Sequence, residues 1–205
     1  MIGAGLAKPA RNVLHSHATD DHGTPVALCE LSRRVGGGGI DLDPFTSDYW
    51  NHHTVKAARH YTVRDDGYAQ EWRGGLMQIN PPGPVEGRPE TRHNVRRAWE
   101  KTCEHWKRGE VDAAIWIGFA LGQACTLQSS PMHPLQFLTG FLITRQCFLQ
   151  RTAGGPPVPG ESPTHANFVT LMPSRRSKAL AAQQARIFVD GIRSLEIGGA
   201  VVRPV

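Results

Sequence analysis

The tripeptide Asn80-Pro81-Pro82 carries the sharpest chemistry in the chain. An asparagine side chain supplies a carbonyl acceptor, and the residue after it offers its backbone carbonyl in an orientation that the following proline restricts. Two acceptors held side by side suit an exocyclic NH2 group. Hydrogen bonds to both of its protons help turn the nitrogen lone pair toward an electrophile, an effect realised most fully in the transition state. The same three residues also make an ordinary turn, so their place in the fold decides between the two readings. Carboxylates stand at Asp41 and Asp43, in Ile40-Asp41-Leu42-Asp43-Pro44, and at Asp66, in Arg64-Asp65-Asp66-Gly67. Each has a plain alternative: a strand ending in an Asp-Pro turn for the first segment, an Asp-Gly turn for the second. His52-His53, with His60 further on, has no Cys or carboxylate spacing of a closed metal site and reads as a helix surface, so no metal is expected.

Such residues need a scaffold that gathers strand ends. From Thr24 to Val35 the apolar Val26, Leu28, Leu31 and Val35 suit a short helix, ended by Gly36 to Gly39. Ile40 to Asp43 reads as a strand stopped by Pro44, Asp48 to Arg59 as a helix, and Tyr61 to Val63 as a second strand. Leu76 to Ile79 is a strand that runs into Asn80-Pro81-Pro82-Gly83, where two prolines forbid further ladder pairing. The residues after Ile79 therefore sit at a sheet edge or end. Asn94 to Lys107 predicts a helix with Val95, Ala98, Trp99, Thr102 and Trp106 on one stripe, stopped by Gly109. Ala113 to Phe119 has the unbroken apolar pattern of a strand covered on both faces. Phe137 to Phe148 and Asn167 to Met172 read as later strands, separated by the Gly- and Pro-dense loop Arg151 to Pro163. Ser174 caps a helix to about Leu195, Ala200 to Val202 form a last strand, and Trp72, Trp99, Trp106 and Trp116 serve packing. Helices alternating with strands predict an α/β domain with a mainly parallel sheet flanked by helices, a class that places ligands at the carboxyl ends of its strands.

A chain of 205 residues fits one medium-sized domain, here residues 22 to 205, preceded by a mobile arm over residues 1 to 21 that mixes Gly, Pro, His and charge without period. Lys and Arg number 23 against 18 Asp and Glu, and the resulting +5 favours polyanions or anionic cofactors as partners. No run of about eighteen apolar residues occurs and the first residues lack the long apolar stretch of a secretory signal, so neither a membrane span nor export is expected. Cys29, Cys103, Cys125 and Cys147 lie far apart, which suggests reduced thiols in a cytoplasmic protein.

Taken together, Gly23-Thr24-Pro25, GGIDLDPFTSDYWN from Gly38 to Asn51 and YTVRDDGYAQEWRGGLMQINPPG from Tyr61 to Gly83 make the chain resemble the phage N-6-adenine DNA methyltransferases, the Dam-like family of phages and prophages. The resemblance is strong over residues 22 to 83. It continues more loosely through Asp112 to Phe119, PTHANFVTLMP from Pro163 to Pro173 and the C-terminal GGAVVRP. It implies a Rossmann-like methyltransferase domain with antiparallel strands toward the C-terminus, using S-adenosyl-L-methionine and acting on an adenine flipped out of double-stranded DNA in the cytoplasm of a bacterial host. It also implies that Thr24-Pro25 lies beside the methionine end of the cofactor, that Asp41 and Asp43 are the strand-end carboxylates facing its cationic and hydroxyl groups, and that Asp66 accepts from its adenine amine. Asn80, Pro81, Pro82 and Gly83 stand at the family's catalytic motif.

One departure matters. The family's fourth residue in that motif is aromatic, often tyrosine, so that the flipped base can stack on it. Here it is Gly83, which leaves stacking to another residue, with Phe119 and Phe45 as candidates and plain core packing as the alternative for each. Arg88, Arg92, Arg96 and Arg97 follow the motif and suit phosphate contact or, equally, a solvated helix face. Asn51 suits bracing of the first loop or an exposed helix position. Target readout must come from loops such as Gly83 to Thr91 and Arg151 to Pro163, so relaxed or short-motif specificity is expected. Two other functions stay open: methyl transfer to another amine or amide, such as an RNA base or a protein glutamine, and nucleic-acid binding without turnover.

Overall fold

The computed structural model of the chain describes residues 22–84, 88–119, 121–142, 147–160, 167–195 and 199–202. The expected arm over residues 1 to 21 lies outside them, as do residues 85–87 and 161–163 of the two loops assigned to target readout. Helix α1 (Val26–Val35) begins after Pro25 and buries Leu28, Leu31 and Val35 along one stripe. Gly37 and Gly38, at φ of 75° and 119°, then turn the chain into β1 (Ile40–Asp43), a conformation that side chains other than glycine rarely adopt.

The next segment departs from expectation. The helix predicted over Asp48 to Arg59 is only a turn of α-helix, α2 (Asp48–Trp50), continued by a π-helical turn at Asn51–Val55. The Asn51 amide explains the stop: its Oδ1 accepts from Ala57 N–H at 2.8 Å and its Nδ2 donates to Ala57 O at 3.2 Å. With Lys56 left-handed at φ 54°, the chain enters β2 (Ala57–His60) early, and the strand expected at Tyr61 to Val63 is instead a turn, held by the Asp65 carboxylate on Thr62 N–H and Oγ1–H. Asn51 thus braces this loop.

Strand β3 (Gly74–Ile79) leads into the Asn-Pro-Pro segment, and a 3-10 turn at Pro89–His93 opens α3 (Asn94–Lys107). Then come β4 (Val111–Gly118), buried along its whole length, α4 (Leu121–Thr126), β5 (Leu138–Leu142), the short strands β6 (Leu149–Gln150) and β7 (Val158–Pro159), β8 (Phe168–Met172), α5 (Lys178–Ser194) and β9 (Gly199–Val202). The strand expected over Phe137 to Phe148 is β5 over Leu138–Leu142, and residues 143–146 of the expected span lie outside the described part. Ser177, not Ser174, caps α5, its Oγ accepting from Leu180 N–H at 3.1 Å. Ser174 is buried, and its hydroxyl donates to Asp112 Oδ1 at 2.8 Å.

The main sheet has the order β2-β1-β3-β4-β8-β5-β9. Pairing is parallel from β2 to β4 and antiparallel from there on, so the parallel expectation holds for one half and the antiparallel strands occupy the C-terminal half. Alternation along each strand divides the core. Leu76, Ala113, Ile115 and Ile117 pack under α1 and α5, while Met77, Ala114, Trp116 and the fully buried Trp72 and Trp99 pack with α3. Trp99 meets Trp116 edge to face at a centroid distance of 5.1 Å, and truncating either indole to Ala costs about 3–5 kcal/mol. One topological feature positions the site. From β1 the chain goes to β2 on one side and returns to β3 on the other, so the order reverses at β1 and β3, and the loops leaving these neighbours part. That is where open α/β sheets form a ligand crevice.

Candidate active site

At the carboxyl ends of those two strands stand Asp43, the last residue of β1, and Asn80, the residue after β3. Period two explains why both side chains face α1: Leu76 and Gln78 share that face with Asn80, and Asp41 shares it with Asp43. Asp43 is 1% exposed, its Oδ1 accepting from Phe45 N–H at 2.9 Å and its Oδ2 from Gln78 Nε2–H at 3.2 Å. Burial outweighs these two bonds and pushes its carboxyl up to about 6.

Gln78 is the residue that the sequence reading missed. It is fully buried, its Nε2 also donates to Cys29 Sγ at 3.7 Å, and its Oε1 has no hydrogen-bond partner. A polar residue in the apolar run Leu76-Met77-Gln78-Ile79, on the same face as Asn80, was the available signal. Cys29 Sγ–H in turn donates to Thr24 O at 3.9 Å, and the Asn80 Nδ2–H donates to Thr24 Oγ1 at 3.1 Å. A buried polar line thus runs from Asp43 through Gln78, Cys29 and Thr24 to Asn80. Burial pushes the Cys29 thiol up to about 12, so this line carries a thiol and not a thiolate.

Pro81 is buried, and Pro82 and Gly83 are half-buried behind Asn80. A Cβ placed on Gly83 would lie 3.3 Å from Cζ of Phe119, the half-buried residue that follows β4. The ring therefore occupies the place beside the loop that a larger side chain at position 83 would contest. Phe45 is instead engaged by Tyr68 and Trp72, at centroid distances of 4.6 and 5.5 Å. Asp66 sits exposed on its turn at φ 49°, with Oδ1 accepting from Tyr68 N–H at 3.1 Å. The turn abuts the end of β1, since a Cβ on Gly67 would lie 2.0 Å from Pro44 O. Pro25 is the residue before α1 and its carbonyl accepts from Leu28 and Cys29 N–H at 3.0 and 3.2 Å.

Asp41 is not brought into this group. It lies toward the start of β1, where its Oδ2 accepts from Leu76 N–H at 2.6 Å, and it lines a cavity of about 140 Å³ at the opposite edge of the sheet with Arg34, Gly36, Asp112 and Gln184. That bond ties β1 to β3. Arg151, at the start of the loop assigned to target readout, covers Tyr49 at 4.4 Å and donates to Ser47 Oγ at 2.9 Å.

Of the arginines after the motif, Arg88 and Arg92 are exposed, Arg96 pairs with Glu100 at 2.8 Å, and Arg97 covers the Tyr68 ring at 4.3 Å. His60 pairs with Asp48 at 2.8 Å. Among the described residues no group of three or more His, Cys, Asp or Glu is placed to hold a metal ion, and no helix is long and apolar enough to cross a membrane. No family model, curated protein or solved structure matches this chain.

Proposed function

We propose that this chain methylates the exocyclic amine of adenine in DNA with S-adenosyl-L-methionine as the methyl donor. The observation that carries the reading is the placement of Asp43 and Asn80 at the ends of neighbouring strands where the strand order reverses. The cofactor fits what is there. A buried carboxylate pushed up to about 6, beside a glutamine oxygen without a partner, is relieved by a ligand that brings positive charge and hydrogen-bond donors. Asp43 would hold that ligand from within the crevice, and the exposed Asp66 would accept from its adenine amine. When bound, the cofactor supplies an electrophilic methyl group.

The chain's own part is to present the nucleophile. Asn80 Oδ1 and Pro81 O accept the two protons of the target amine and so turn its lone pair outward. No covalent intermediate with the protein is needed. Phe119, set against Gly83, provides the aromatic face on which the flipped base stacks, which answers the missing aromatic residue of the motif. Asn80→Ala should reduce methyl transfer by at least ~100-fold while cofactor affinity, read by calorimetry, stays within about threefold. Loss of cofactor binding in the folded variant, or near-normal turnover, overturns the assignment of Asn80.

A further inference from the structure

We propose that Thr24 acts on Asn80 and not on the cofactor, as a positioning residue that anchors the asparagine amide at the end of β3 with its oxygen left for the acceptor. The inference rests on the methyltransferase reading and assigns a part of the same site. Its starting point is the hydrogen bond from Asn80 Nδ2 to Thr24 Oγ1 at 3.1 Å. Thr24 is 4% exposed, and its surroundings leave it little freedom. Gly23, just before it, exchanges two backbone hydrogen bonds with Leu149 at 2.8 and 2.9 Å. A Cβ at position 23 would lie 2.3 Å from the Trp50 ring, so only glycine fits there. On the other side Pro25 starts α1, and the Cys29 thiol donates to Thr24 O at 3.9 Å. The hydroxyl is therefore part of a rigid frame.

An asparagine amide is two-faced: rotated by half a turn, it exchanges a carbonyl oxygen for an NH2 group. Only one orientation serves an amine acceptor, because an NH2 turned toward the substrate's NH2 sets donor against donor. With Thr24 Oγ1 taking the amide nitrogen, Oδ1 is the atom left for the substrate. The bond holds the amide in that orientation before substrate arrives, which is preorganisation of the kind that raises turnover more than affinity.

Three measurements on the protein test this. Thr24→Val keeps the shape and removes the hydroxyl; it should lower kcat roughly tenfold to a hundredfold while the calorimetric Kd for S-adenosyl-L-methionine and the KM for DNA stay within a few-fold. Thr24→Ser should restore kcat. Independently of turnover, the Asn80 side-chain NH2 protons should exchange with solvent faster in Thr24→Val than in wild type. A raised cofactor Kd with kcat preserved makes Thr24 a cofactor contact and overturns the proposal, as does failure of serine to restore turnover or unchanged exchange of the amide protons. If the wild-type protein transfers no methyl group to DNA, the methyltransferase reading itself fails, and this assignment falls with it.

Discussion

Asp43 carries an energetic cost that packing alone does not explain. Its carboxyl, pushed up to about 6 by burial against an ordinary value of 3.8, titrates higher in the folded than in the unfolded chain. The native state therefore holds the extra proton between these values, and the group's penalty grows as pH rises through about 6 and is complete above it. The difference corresponds to a penalty on the order of 3 kcal/mol at neutral pH. Asn at this position keeps an acceptor for Phe45 N–H, and a turn of the Gln78 amide lets its unpartnered Oε1 accept from the new NH2. Asp43→Asn should accordingly be more stable than wild type in urea at pH 8, with the advantage shrinking toward pH 4, and should bind S-adenosyl-L-methionine more weakly. A variant no more stable at pH 8 than at pH 4 relative to wild type would show that the carboxylate is not strained. Asp43 and Asn80 were legible in the sequence because each ends an apolar run next to a proline. The Thr24–Asn80 bond was not, since it joins residues 56 apart whose meeting depends on where α1 lies on the sheet.

At the scale of elements, strong punctuation made boundaries readable. Strand β1 and helix α3 match the expected Ile40 to Asp43 and Asn94 to Lys107, because Pro44 and Gly109 stop them and an apolar pattern runs their whole length. The misreading at Asp48 to Arg59 has a different source: the Asn51 side chain competes with the helix for the backbone of Ala57, which propensity alone does not show. The start of α3 also sorts the arginines. Arg96 is paired with Glu100 and Arg97 lies on Tyr68, whereas Arg88 and Arg92 are exposed beside the motif loop and the 3-10 turn. If this edge meets phosphates, Arg92→Gln should weaken binding to all duplex sequences alike and reduce the log-log salt slope by roughly one unit, with cofactor affinity unchanged. Arg96→Gln should change the slope less. Equal slopes for wild type and Arg92→Gln, in titrations at several salt concentrations, make this a solvated face.

For the whole molecule, the reversal of strand order at β1 and β3 puts a buried carboxylate, an amide acceptor and an aromatic ring at one edge, while the cavity containing Asp41 lies at the other. The α/β class was legible from the alternation of helical and strand periods. The antiparallel turn of the sheet beyond β4 was implied by the family resemblance and not by the residues themselves, because a strand buried on both faces such as Phe168 to Met172 reads the same in either direction. The basic excess of +5 agrees with a polyanionic partner without naming one. Transfer of a tritiated methyl group, offered together with unmethylated DNA, RNA and protein acceptors and followed by nucleoside and amino-acid analysis, tests the central claim most directly. Label is expected in DNA, recovered as N6-methyldeoxyadenosine and lost in Asn80→Ala; label confined to RNA or protein, or no transfer to any acceptor by a protein that is folded, would contradict methylation of DNA adenine.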